Sequence, residues 1–107
     1  MIEILILFGA LLVGHAIADK TLQPSYVSTG KRSPDAVERW RWLGLHGACH
    51  GLFVSLVLGP VLGLLEVAAH AAIDRGKGAG LYGMKVDQSL HVACKILWLA
   101  LYLEGIC

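Results

Sequence analysis

Residues 43–75 read LGLHGACHGLFVSLVLGPVLGLLEVAAHAAIDR, and how this stretch divides decides the fold. Taken without a break, Leu43 to Leu65 is apolar enough and long enough for one membrane span. Gly59-Pro60 argues for two helices instead. Glycine readily ends a helix, and proline lacks the backbone donor that continuation needs. We place the break there, with one helix over residues 34–58 and the next over 60–75. At ~1.5 Å per residue the second is about 24 Å long, which is shorter than the ~30 Å hydrocarbon core of a bilayer.

Upstream, Met1 to Ala18 is apolar apart from Glu3 and His15, and the run stops at Asp19-Lys20. The basic residue follows the apolar run, the reverse of a signal peptide, so a retained span over 2–19 is expected. Residues 20–33 read as a polar connection. Ser33-Pro34-Asp35 then reads as a helix start, with Ser33 as the cap and Pro34 in the first helical position. Trp40 and Trp42 suit a membrane interface. Downstream, Gly76, Gly78, Gly80 and Gly83 suggest a flexible connection, and a last helix over 86–105 starts near Val86 or Asp87. The expected fold is all-α: one domain over 1–107, an integral membrane four-helix bundle.

Composition points the same way. The 107 residues are 56% hydrophobic and 16% charged, with a mean hydropathy of +0.65. Soluble domains carry about 25% charged residues, so this chain has too little polar material to cover a small soluble surface. A net charge of +1 excludes a strongly basic nucleic-acid binder. Cys49, Cys94 and Cys107 are odd in number and read as small buried hydrophobes, not as a disulfide framework. Lys20, Lys31, Arg32, Arg39, Arg41, Arg75, Lys77 and Lys85 all fall in or beside the two longer connections, leaving only Lys95 elsewhere. The positive-inside rule then puts both connections in the cytoplasm of a bacterial inner-membrane protein, with both ends of the chain outward.

The polar residues inside the apolar segments recur at helical spacing. His15 and Asp19 are four apart, as are His46 and His50, Glu66 and His70, His70 and Asp74, Asp87 and His91, and His91 and Lys95. Residues four apart share one helix face, so each helix carries a polar stripe that lipid cannot solvate and that should face inward. Counted from the cytoplasmic ends, Asp19, Asp74 and Asp87 fall at the interface. His15, His46, His70 and His91 lie roughly 6–9 Å deeper, and His50, Glu66 and Lys95 roughly 12–15 Å deeper. The segments His15-Ala-Ile-Ala-Asp19-Lys20 and His70-Ala-Ala-Ile-Asp74-Arg75 echo each other, as do His46-Gly-Ala-Cys49-His50 and His91-Val-Ala-Cys94-Lys95. Two pseudo-repeated helical hairpins would account for the echo.

Imidazole and carboxylate at this spacing suit a divalent metal: zinc, with manganese or iron as alternatives. The candidate ligands are His15, Asp19, His46, His50, His70, Asp74, Asp87 and His91. With Glu66 they outnumber the roughly four ligands of one zinc ion, which leaves open two metals or one metal with an extended outer shell. Asp19 and Asp74 end their helices, where the dipole disfavours an anion and a cation partner is expected. The bland readings are a metal-free polar or proton network, Asp87 as a helix cap, and a buried Glu66–Lys95 ion pair.

The run Gly14-His15-Ala-Ile-Ala-Asp19-Lys-Thr-Leu22-Gln23 resembles the opening motif of domain-of-unknown-function family 3307, small bacterial and phage membrane proteins. His46, the series Glu66, His70, Asp74 and Lys77, and Asp87-Gln88-Ser-Leu-His91 resemble its later motifs. The resemblance spans nearly the whole chain and implies a membrane location and a polar site, but no reaction. The pattern is also similar to small inner-membrane proteins described as metal-dependent hydrolases. The leading expectation is a metal-dependent hydrolase at the membrane face, with Glu66 as general base. Gln23, Arg75, Lys77 and Gln88 would hold an anionic lipid or phosphoester at the mouth. The rivals are a metal-ion or proton transporter and a non-enzymatic membrane accessory protein. Gly44, Gly47, Gly51, Gly59 and Gly63 would let helices approach closely, within the chain or in a homo-oligomer.

Overall fold

The structure is a computed structural model that describes residues 1–107. It is all helical, with α1 (Ile2–Lys20), α2 (Ser25–Gly30), α3 (Ala36–Leu58), α4 (Pro60–Gly78) and α5 (Met84–Leu103). The break falls where the sequence places it. Gly59 adopts φ +110°, a region closed to most side chains. Pro60 opens α4, where a missing N–H is tolerated. The Val61 N–H donates to the Cys107 carbonyl at 2.9 Å, so the end of the chain covers the first turn of α4.

The four long helices pack in the cyclic order α1, α3, α4, α5, each antiparallel to the next. The closest approach is α3 on α4. A Cβ built on Gly63 would lie 2.7 Å from the Gly51 carbonyl oxygen and would overlap Ser55 Oγ. One built on Gly51 would lie 2.7 Å from the Gly63 oxygen. These two glycines therefore set the distance between the helices.

Several boundaries differ from expectation. Asp35, not Ser33, caps α3: its side chain accepts from the Glu38 N–H at 3.1 Å. Ser33 instead accepts from the Asp35 N–H at 3.2 Å, and Pro34 lies outside the helix. The connection 20–33 contains α2, one short turn of helix too brief to show a 3.6-residue period. α4 continues through Gly76 to Gly78, because Tyr82 folds over the bare Gly76 backbone and its hydroxyl donates to the Ile73 carbonyl. The flexible connection thereby shrinks to residues 79–83. α4 has 19 residues, about 28 Å, which removes the apparent shortness of that helix. α5 starts at Met84 after Gly83, so Asp87 lies inside the helix and does not cap it. Cys49 and Cys94 are half-buried as packing residues, whereas Cys107 is exposed and is no part of the core.

The interior divides along its length. In the half nearest Gly59, Leu11, Val54, Leu58, Leu62, Trp98 and Leu99 form an apolar cluster. The other half is polar: His15, His46, His50, Glu66, His70, Asp74, Asp87, His91 and Lys95 are all buried, and Lys31 with them. The outer surface is the reverse. Leu56 (74% exposed) and Leu64 (72%) typify a long series of uncovered apolar side chains. One helix, α1, is by itself long and apolar enough to cross a membrane.

Candidate metal centre

The end of the structure bearing α2 and the 79–83 turn is the mouth. α1 and α4 reach it with their C-termini, α3 and α5 with their N-termini. Helical side chains tilt toward the N-terminus of their own helix. Asp19 and Asp74 therefore lean inward, away from the mouth, while His46, His50, Asp87 and His91 lean up toward it. Groups that seem to occupy separate depths by residue count are brought to one level.

The imidazole Nε2 atoms converge on three carboxylates. Asp19 Oδ1 lies 2.9 Å from His50 Nε2 and 3.2 Å from His46 Nε2, and Asp19 Oδ2 lies 3.2 Å from His15 Nε2. Asp74 Oδ1 lies 3.2 Å from His91 Nε2, and Asp74 Oδ2 lies 3.5 Å from His70 Nε2 and 3.8 Å from His46 Nε2. Asp87 Oδ1 lies 3.5 Å from His91 Nε2. The rings pack on one another, His50 on His70 with centroids 3.7 Å apart and His70 on His91 at 4.1 Å. All eight expected ligands thus meet. His50, expected a tier deeper, reaches Asp19 because of its upward lean.

Below this level Glu66 is fully engaged. Its Oε1 accepts from Lys95 Nζ at 2.7 Å and lies 3.1 Å from His70 Nδ1, and its Oε2 accepts from the Trp98 indole at 2.6 Å. Of the roles considered for Glu66, the geometry shows the ion pair with Lys95. Neither oxygen is free to act as a general base at the mouth. A carboxylate paired with an ammonium cannot donate, so His70 Nδ1 carries the proton of that contact. His70 Nε2 is then the other ring position, and it has no hydrogen-bond partner although it is buried.

The mouth holds a cavity of about 350 Å³ lined by Asp19, Asp74 and Asp87 together with Lys31, Lys77, Gln23 and Gln88. An adjoining space of about 320 Å³ extends it to Ser28 and Arg32. Gln23, Lys77 and Gln88 thus sit where the sequence puts them. Gln88 Nε2 donates to Asp87 Oδ2 at 3.0 Å, and Gln88 Oε1 lies 3.3 Å from His15 Nε2. Arg75 lines neither space. It follows Asp74 by one residue, and consecutive helical side chains point about 100° apart, which carries it off the face that Asp74 turns to the cavity.

Lys31, read from sequence only as part of a polar connection, takes the place foreseen for Arg75. It is buried, and its Nζ donates to Asp74 Oδ2 at 2.8 Å. α2 holds it there. Trp42 packs edge-on against Tyr26 at 5.6 Å, and its ring fills the space where a side chain on Gly30 would be. Its indole donates to Glu38 Oε1 at 2.5 Å. Trp42 is therefore a clamp between α2 and α3, while Trp40 stays exposed. A larger open groove of about 660 Å³ beside Tyr26 and Arg32 touches none of the three aspartates.

No family model, curated protein or solved structure matches the chain.

Proposed function

We propose that this chain is a small multi-pass membrane protein with a divalent-metal centre at its cytoplasmic end, and that it hydrolyses a phosphoester or anionic lipid at the membrane face. The observation that carries this reading is the convergence of five imidazoles on Asp19, Asp74 and Asp87 beneath a cavity walled by lysine and carboxamide side chains. The donor set fits zinc, manganese or iron. The buried His70 Nε2, without a hydrogen-bond partner and 3.5 Å from Asp74 Oδ2, supports the reading as a ligand position. A polar interior inside an apolar exterior favours lipid as the surrounding medium, since exposed apolar area of this extent is uncommon on soluble monomers.

A divalent ion held by these residues would supply Lewis acidity toward a phosphoryl oxygen and lower the pKa of a water molecule. The chain supplies the rest. Lys31, Lys77 and Arg32 attract an anionic head group, and Gln23 and Gln88 offer amide donors. Glu66 acts as a positioning residue: it orients His70, as partners of metal-ligating imidazoles do. The motifs that resemble family 3307 fall on this centre, which agrees with the reading. Metal or proton transport is disfavoured by the Leu11, Val54, Leu58, Leu62, Trp98 and Leu99 cluster, which closes the far half.

Detergent-purified protein should retain zinc or manganese. It should hydrolyse a chromogenic phosphodiester, or a phospholipid in mixed micelles, and Asp74→Asn should lower turnover at least about 100-fold. Protein without bound metal, or metal-loaded protein that moves ions into liposomes and hydrolyses nothing, sinks the proposal.

A further inference from the structure

We infer that the centre holds two divalent cations bridged by Asp74. This rests on the metal-centre reading above and deepens it.

The donors fall into two sets that share no residue. Ligand atoms of Asp19, His46, His50 and His70 lie within 4.8 Å of one another, and so do those of Asp74, Asp87 and His91. The first set comes from α1, α3 and α4, the second from α4 and α5. The first offers four donors, enough for a closed tetrahedral site. The second offers three, so a position remains for water or substrate, and Asp74 and Asp87 of this set line the cavity together with Asp19 of the first.

Asp74 joins them. Its Oδ1 faces His91 of the second set at 3.2 Å, while its Oδ2 faces His70 at 3.5 Å and His46 at 3.8 Å in the first. Oδ2 also accepts from Lys31 at 2.8 Å, and because Lys31 lines the cavity, unlike the deeply buried Lys95, an ion at the first set would displace its ammonium into that space. One carboxylate presenting an oxygen to each of two donor sets is the geometry of a bridging ligand, and catalytic metal pairs about 3.5–4 Å apart are commonly clamped this way.

Each set also contains buried polar atoms with no partner. In the first these are His70 Nε2 and the Nδ1 atoms of His46 and His50, and in the second Asp87 Oδ1 and His91 Nδ1; of these, His70 Nε2 and Asp87 Oδ1 face the other ligand atoms, and both residues are 1% exposed. His70 lies between two carboxylates, with Nδ1 3.1 Å from Glu66 Oε1 and Nε2 3.5 Å from Asp74 Oδ2, and an ion held at Nε2 would stand in the place a proton takes there. Asp87 Oδ1 lies 3.5 Å from His91 Nε2 in the second set.

The Glu66, His70 and His91 atoms also cluster. Glu66 is already satisfied by Lys95 and Trp98, however, so we assign no ion there.

The test uses the full chain, purified in detergent, stripped with chelator and reloaded with Mn(II). Elemental analysis should give two ions per chain, and the electron paramagnetic resonance spectrum should show an exchange-coupled or strongly broadened pair. Asp87→Asn combined with His91→Ala should leave one ion and an isolated Mn(II) signal, with the helical circular dichroism unchanged. His46→Ala combined with His50→Ala should do the same from the other side. One ion per wild-type chain with an uncoupled signal overturns the two-ion centre and leaves the metal centre standing. No ion at all overturns both. Two ions still bound by the Asp87/His91 variant would show that the second set is not a site.

Discussion

Glu66 shows how much a single side chain can be made to do when it is buried in the polar half of this interior. It accepts from Lys95, His70 and Trp98 at once, and each donor has a different consequence. Lys95 cancels its charge, Trp98 holds the lower oxygen, and His70 is turned so that Nε2 faces Asp74. Glu66→Gln keeps the shape but leaves the Lys95 ammonium without a counter-charge. The expected loss of stability is roughly 3–5 kcal/mol, the range for breaking a buried pair, and adding Lys95→Met should restore much of it. The affinity for zinc should fall about 10–100-fold, as when a carboxylate behind a ligating imidazole is lost. Chemical denaturation and competitive zinc titration read the two effects. Unchanged stability and zinc affinity with abolished turnover would return Glu66 to the role of base. The ladder of His, Asp and Glu was legible in the sequence because i,i+4 spacing inside apolar segments is conspicuous. Lys31 and Trp98 were not: Lys31 lies in a polar stretch with no periodic partner, and an indole reads as an apolar residue until something is seen to need its N–H. Trp98 does stand three residues after Lys95, on the same stripe, and that spacing was the available signal.

At the level of elements, the position of each ligand depends on how near α3 and α4 can come. Gly51 and Gly63 meet backbone to backbone, and toward the mouth Gly47 and His46 come four and five residues before Gly51 on α3, and Glu66 three residues after Gly63 on α4. Gly63→Ala places a methyl group against the Gly51 carbonyl and Ser55 Oγ, atoms that cannot both yield. The expected cost is about 1–3 kcal/mol, as for other overpacked contacts. The shift should also widen the distance from His46 and His50 to His70. Thermal unfolding and zinc affinity should fall together, whereas Gly44→Ala, where a Cβ meets nothing within 4 Å, should change neither. A Gly63→Ala protein as stable as wild type would mean that the helices are not held at this contact. The α3–α4 division was readable because Gly59-Pro60 is strong punctuation. α2 was not, since six residues carry no period, and what fixes them is tertiary: the Trp42 ring over Gly30. The helix ends at Gly78 and Met84 were hidden for a similar reason. Gly76 looks like a breaker in sequence, yet it continues α4 because Tyr82 requires a bare backbone there.

For the molecule as a whole, the distribution of polarity follows from a choice of solvent. The buried His, Asp and Glu are costly in either medium and are offset by pairing with one another; the uncovered Leu and Ile side chains would drive association in water and would meet a matching medium in the bilayer of the proposed reading. Hydropathy singles out α1 alone because, Glu3 apart, its polar residues, His15, Asp19 and Lys20, gather in its last turns, whereas α3, α4 and α5 carry histidines and charged residues along more of their length. Orientation then rests on charge. Lys20, Lys31, Arg32, Lys77 and Lys85 sit at the mouth, and the end bearing Gly59 and Cys107 has no basic residue. On the proposed membrane reading, the positive-inside rule puts the mouth in the cytoplasm. Thr29 and Ala79 are exposed at the mouth, and Cys107 is exposed at the opposite end, where its carbonyl accepts from Val61. With Cys49 and Cys94 replaced by alanine and the chain expressed in a bacterium, Thr29→Cys and Ala79→Cys should react with a membrane-impermeant maleimide only in inverted vesicles. Cys107 should react only in intact spheroplasts. Protein that stays in solution without detergent after lysis would remove the bilayer from the account. Thr29 and Ala79 on opposite faces would divide the helices that supply Asp19, Asp74 and Asp87, and the centre could not assemble from one side of a membrane.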